Sequence, residues 1–252
     1  MKRYAFLLLT CILLFASFTK PHYKKLCGMQ FARINDTLYA AVFEVTNGEY
    51  KQFLSEINTT QQKLCRIDSD AWNYKFSNAY NVPMAKNYHI HAAFNRYPVV
   101  NVSHYAAYWF CEWLNGKYTL LEKNKKVVFR LPTEAEWIAS TDYNTATGLP
   151  QSLGNGQAEN GWQWQNTWSF AQDTCRAVLD GGFYTVRVDA YKPNAYGLYN
   201  VVGNVAEMLD KDSIQKGCSW QDTLPDCSVL NSQHYIVPDP RVGFRVFAVV
   251  KH

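Results

Sequence analysis

The sequence predicts one mixed α/β (α+β) domain, in which short helices and strands are joined by long ordered loops. Three observations carry that prediction. Capping signals open brief segments with an apolar stripe, strand-like runs are short, and stretches rich in Gly, Asn and Gln lie between them. Against so little regular structure stand 8 Trp, 17 Tyr and 14 Phe in 252 residues. A chain of this length can bury a proper core. One so aromatic and loop-rich also needs internal pins, and metal ions are one kind.

The elements follow in order. Lys2 and Arg3 precede an apolar run from Tyr4 to Phe18, about a secretory core in length and short for a spanning helix. With Ala16, Ser17 and Thr19 as a small-residue cleavage zone, residues 1–19 read as a signal peptide or N-terminal membrane anchor and 20–252 as the single domain. Cys11 is a candidate for lipid attachment, opposed by Thr10 and by the apolar run that continues past it. Thr46 to Ile57 reads as a helix: Thr46 and Glu49 form a capping box, and Tyr50, Phe53, Leu54 and Ile57 make its apolar stripe. His89 and His91 fall on one face of a strand in this reading. Ser103 starts a second helix with Ala106, Trp109, Phe110, Trp113 and Leu114 inward, and Asn115-Gly116 ends it. Val127 to Arg130 reads as a strand stopped by Pro132, and Thr133 to Ser140 repeats the capping box with Thr133 and Glu136. Gly148 to Gly161 is loop, Asp180-Gly-Gly182 a turn, and Arg241 to Val250 a final strand.

Composition narrows the function. A net charge of +4 is mild and its charges are mixed, and Lys123, Lys125 and Lys126 read as one solvated loop. No nucleic-acid motif or internal repeat is visible, so nucleic acid is excluded as a partner, and membrane contact is confined to the N-terminus. Export permits disulfides. Cys27, Cys65, Cys111, Cys175, Cys218 and Cys227 would remain in the mature chain, and sequence does not choose their pairing.

Asn194-Ala-Tyr-Gly-Leu-Tyr-Asn-Val-Val-Gly-Asn-Val-Ala-Glu207 is the most informative stretch. Side-chain oxygens at Asn200 and Glu207, with carbonyls freed by a turn at Gly203, suit a hard cation such as calcium. The stretch sits among Pro98-Val-Val-Asn-Val-Ser-His-Tyr-Ala-Ala-Tyr-Trp-Phe-Cys-Glu-Trp-Leu114, Phe129-Arg-Leu-Pro-Thr-Glu-Ala-Glu-Trp137, Lys216-Gly-Cys-Ser-Trp220 and Val242-Gly-Phe-Arg-Val246. In order and wording these motifs resemble the formylglycine-generating enzyme, or sulfatase-modifying factor, family, from about Glu44-Val-Thr-Asn47 to Phe247. The resemblance implies an irregular fold related to the C-type lectin-like folds. It also implies two structural calcium sites. One has Asn200 and Glu207 as side-chain ligands with carbonyls from Gly203 and Val205. The other has Asn166 and Asp180, with carbonyls from Thr167 and Gly182.

For catalysis the resemblance implies a Cu(I) site of two cysteines, three and eight residues beyond the serine that matches Ser219. Cys227 stands at the second position and Asp222 at the first. A carboxylate is a poor substitute for a thiolate on soft Cu(I), so copper is not expected here. Cys218 replaces a family glycine and leaves three readings open: a disulfide to Cys227, a displaced metal pair, or two unrelated thiols. The family's partner for Cys111 falls on Val246, so Cys111 is expected to be a buried thiol. The superfamily's mononuclear iron chemistry needs a helical domain for which this chain has no room. Trp162, Trp164, Trp168, Trp220, Tyr74 and Tyr80 offer aromatic surface for peptides or sugars, or else core packing.

Taken together, the sequence reads as an exported, calcium-pinned family member with a protein or peptide partner, periplasmic, envelope-attached or extracellular. It would be a binding or assembly component of the bacterial envelope without the oxidase site. The alternative is an oxidase that uses Cys227, with Ser219, to convert a partner's cysteine or serine to formylglycine.

Overall fold

The computed structural model describes residues 23–121, 127–146, 148, 182–223 and 226–251. Its elements are β1 (Tyr23–Leu26), β2 (Met29–Arg33), β3 (Leu38–Ala41), α1 (Asn47–Glu56), α2 (Thr59–Leu64), α3 (Ala71–Tyr74), α4 (Val82–Asn87), a 3-10 turn at Ala92–Phe94, α5 (His104–Leu121), β4 (Val127–Arg130), α6 (Glu134–Ala139), β5 (Ala206–Met208), β6 (Ile214–Lys216), β7 (Gln233–His234), β8 (Val242–Gly243) and β9 (Phe247–Val250). Five strands form one sheet in the order β1-β2-β3-β9-β4, and four form a second in the order β7-β6-β5-β8. The first is antiparallel throughout. In the second, only β5 and β8 run parallel. The mixed, loop-rich α+β architecture is the one the sequence predicts.

Both capping boxes form. Thr46 accepts from Glu49 N while Glu49 accepts from Thr46 N, and Thr133 and Glu136 do the same for α6. Tyr50 and Phe53 of α1 are fully buried against Phe110 of α5, with ring centroids 6.1 and 5.5 Å apart. Phe31, Phe129, Leu114 and Phe244 complete this core between α5 and the first sheet.

The structure corrects three expectations. Asn115-Gly116 does not end the second helix, which runs on to Leu121. Asn115 instead donates to Phe129 O (3.0 Å) and accepts from Phe129 N (2.7 Å), so its amide acts as one more backbone partner for the edge strand β4. Arg241 to Val250 is two strands in different sheets, because Phe244-Arg245-Val246 leaves the ladder to send Arg245 inward. His89 and His91 lie on no strand: His91 caps the 3-10 turn, and His89 is buried after α4.

Candidate functional site

From Asn194 the stretch folds as turns and bends that lead into Glu207 on β5. Asn194 Oδ1 accepts from Tyr196 N and Leu198 N, which closes the first turn. Asn200, Gly203 and Asn204 take positive φ values of 50°, 84° and 61°, the region that Gly and Asn tolerate. Gly217, at φ 93°, packs beneath them; a Cβ there would stand 2.5 Å from Val201 O and 2.9 Å from the Trp137 ring.

These turns surround two buried carboxylates. Asn200 Nδ2 donates to Glu44 Oε2 (3.1 Å) and Val188 O (3.2 Å), and Asn204 Nδ2 donates to Glu44 Oε1 (2.8 Å). Glu207 Oε2 accepts from Trp137 Nε1 at 2.8 Å. Its Oε1 accepts from Arg245 Nε and Nη2 at 2.9 and 2.6 Å. Arg245 also donates to Ala41 O, Val42 O and Tyr199 O, so one guanidinium ties the end of β3 to the turn stretch. Burial pushes the Glu44 carboxyl up to about 8; the charge of Arg245 opposes this and that of Glu207 adds to it.

Asn200, Gly203, Val205 and Glu207 are all buried in this segment. One carboxylate, one amide and two backbone carbonyls are a donor set that suits a hard cation. Among the described residues, Glu207 Oε2 carries a single N–H contact, from Trp137. Of the other set, Asn166, Thr167 and Asp180 lie outside the described residues, and Gly182 is half-buried. No group of three or more His, Cys, Asp or Glu side chains with metal-binding geometry occurs among the described residues.

Glu44, Trp137 and Arg245 are the site residues that sequence reasoning did not single out. Each sits inside a quoted motif, and the signal was there: a charged or indole side chain embedded in an apolar run must find a partner when buried.

Cys218 and Cys227 are joined by a disulfide, with Cα atoms 5.3 Å apart, which selects the first of the three readings. Ser219 is fully buried and donates from N (2.8 Å) and Oγ (2.6 Å) to Asp222 Oδ2, so the carboxylate at the family's first cysteine position closes a serine turn. Lys216 places its ammonium, fully buried, 2.8 Å from Glu134 Oε1 and 3.1 Å from Asn231 O. Cys111 is a free, buried thiol, raised by desolvation.

His89 and Trp220 are structural. Burial holds His89 down to about 3. Its Nδ1 pairs with Asn47 Oδ1 (3.1 Å) and its Nε2 with Asn101 Nδ2 (3.3 Å), as a neutral ring protonated at Nδ1 would. His104 Nε2 donates to Leu209 O at 2.8 Å. Trp220 is buried between Trp72 and Tyr184, while Tyr74 and Tyr80 are exposed. Trp162, Trp164 and Trp168 lie outside the described residues.

Comparison with known proteins places this geometry. The formylglycine-generating enzyme of Mus musculus is 38% identical over 116 residues, 45% of this chain and 27% of that protein. That of Thermomonospora curvata is 37% identical over 114 residues, 44% of this chain and 32% of that protein. The matched stretch thus spans about a third or less of those relatives. Among solved structures, PvdO from Pseudomonas aeruginosa has a TM-score of 0.58 at 19% identity, over 84% of this chain and 80% of its own. CarF has a TM-score of 0.55 at 17% identity, over 92% and 97%. Both share the fold. A family model, the sulfatase-modifying factor enzyme 1-like domain, matches residues 28–249 and so takes in β2 onward and the buried carboxylates Glu44 and Glu207; the chain belongs to that family.

Proposed function

We propose that this chain is an exported binding or assembly component of the bacterial envelope, pinned by calcium, that engages a protein partner and does not run copper-dependent oxidation. The observation that carries the reading is the Cys218–Cys227 disulfide together with the Asp222–Ser219 turn. Cu(I) in the resembled oxidases is held by two thiolates; here one position is a carboxylate already engaged by Ser219, and the other sulfur is covalently occupied. Asn200, Gly203, Val205 and Glu207 would hold one calcium, and Asn166, Thr167, Asp180 and Gly182 a second. The ion would tie the turns together and take no part in chemistry. Export rests on the basic and apolar residues 2–18, which lie outside the described residues. Among the described residues no helix is long and apolar enough to cross a membrane.

The second reading is a formylglycine-generating oxidase acting through Cys227, favoured by the names of the curated relatives. One experiment separates the two. The chain is given calcium, Cu(I), dioxygen and a cysteine-containing sulfatase-motif peptide, beside a Cys227→Ser control, and the peptide mass is read. An unchanged mass supports the binding reading. Conversion of the thiol to an aldehyde, absent in the control, refutes it.

A further inference from the structure

Charge is unevenly spread along this chain. Lys2, Arg3, Lys20, Lys24, Lys25 and Arg33 all precede the first acidic residue, Asp36. The apolar run from Tyr4 to Phe18 lies within this basic stretch, and only residues 19–22 separate it from Tyr23, where β1 begins. Fully extended, that connection spans about 14 Å. An anchor in lipid would therefore hold the domain against the bilayer, with Tyr23 at the point of entry.

Tyr23 opens onto a continuous face of the domain. Tyr23 and Lys25 are both exposed and project from the same side of the edge strand β1. The Tyr23 hydroxyl donates to Gly197 O at 3.2 Å. Lys25 stands opposite Gln30, whose carbonyl accepts from Val42 N, and Val42 O in turn accepts from Tyr199 N. The half-buried ring of Phe43 lies 5.0 Å from that of Tyr199 and 5.8 Å from the Arg96 guanidinium.

Cations outnumber carboxylates on this face. Arg96 and Arg187 are each more than half exposed and share the one carboxylate of Asp189, at 3.0 and 2.9 Å. Glu49, beside Arg96, is turned into its capping box. Lys192 and Asp142, one of each sign, bracket the Asn194 turn at the margin. Tyrosine rings settle at the headgroup level of a bilayer, apolar rings at the acyl boundary, and basic side chains against anionic lipid.

We propose that this face lies on an anionic phospholipid surface. Lys25, Arg96 and Arg187 meet headgroup phosphates, while Tyr23, Phe43 and Tyr199 sit at the edge of the acyl region. The proposal rests on the export reading above, with residues 1–19 kept as the anchor, and adds the orientation in which the domain is held.

The test is hydroxyl-radical footprinting, read by mass spectrometry, of the 252-residue chain reconstituted in vesicles of phosphatidylcholine alone or mixed with phosphatidylglycerol. Oxidation of Tyr23, Phe43 and Tyr199 should be slower in the mixed vesicles by about fivefold or more, the gain from one basic residue at an anionic surface. Tyr108 and Ile236, exposed on other elements, should oxidise alike in both. Salt at about 1 M should restore oxidation, because charges are then screened within about 3 Å. Lys25→Glu should weaken the protection and leave the unfolding midpoint in place, since its side chain is exposed. Equal protection in the two vesicles, protection of Tyr108 or Ile236 as strong as that of Tyr23, or full protection in Lys25→Glu would overturn the proposal. A chain that floats with neither vesicle defeats the anchor and this proposal with it. A chain that floats with its face unprotected defeats the orientation alone, whereas aldehyde in the oxidation assay defeats the binding reading and leaves the orientation standing.

Discussion

Arg245 directs two N–H groups, at 2.6 and 2.9 Å, onto a single oxygen of Glu207, and neither side chain is more than 1% exposed. Removing one partner of such a pair strands a buried charge, at a cost of about 3–5 kcal/mol. Arg245→Met should therefore lose about that much in urea unfolding. Arg245→Met with Glu207→Leu should recover part of it, since no lone charge remains. A single-variant loss below about 1 kcal/mol would mean that water reaches the pair.

His89 predicts the acid limb of stability. Its folded value of about 3 lies below the ordinary imidazole value, so between those values the unfolded chain holds the extra proton. Stability from this residue is complete above the unfolded value and is lost as pH falls toward 3, at up to about 1.4 kcal/mol per pH unit. His89→Gln should flatten that limb while lowering stability at neutral pH. A wild-type curve equally steep in the variant would assign the acid sensitivity to other groups.

Calcium should raise the melting temperature by mass action, about 2.7 kcal/mol of stabilisation at a hundredfold excess over Kd. Asn200→Ala and Glu207→Gln should each remove the response of that site, leaving at most the increment of the other. Differential scanning calorimetry with and without chelator reads both. A full calcium response in Asn200→Ala would move the ion elsewhere.

The disulfide closes a loop of nine residues in sequence separation, which the chain-entropy account values at about 2–3 kcal/mol. Cys218→Ser with Cys227→Ser should lower stability by about that amount and leave no new reactive thiol at either position. Thiol labelling of the untreated protein should spare both residues. Ready labelling of Cys227 without reductant would return it to the list of catalytic candidates.

The sequence made α1 and α6 legible because Thr46 with Glu49 and Thr133 with Glu136 state both ends of a local bond. Strand β4 was legible from its apolar run. The first three strands and β5 to β7 were not, and β8 with β9 was read as one strand. They run two to five residues each, too short for a local period to announce them, even where β1 pairs with β2 and β5 with β6 across short turns. Asn115 misled for a related reason: its amide satisfies strand β4 rather than a helix end. Asn200 and Glu207 were found as oxygen donors, but Glu44 was not, because it stands 156 residues from the Asn200 amide that binds it. Motif order identified the family, while the polar pairings inside it belong to tertiary structure.

Strand β9 lies between β3 and β4, pairing Phe247 with Ala40 and with Arg130. An interior strand of the first sheet is therefore supplied by residues synthesised some two hundred positions after its neighbour β3. Until they arrive, β3 and β4 each present an open edge, and Glu207 waits for Arg245 on the same segment. Closing such distant contacts is slow and comes late. A ribosome-bound chain would be held open and exposed to proteases, and residues 242–250 would shut both sheets in one step.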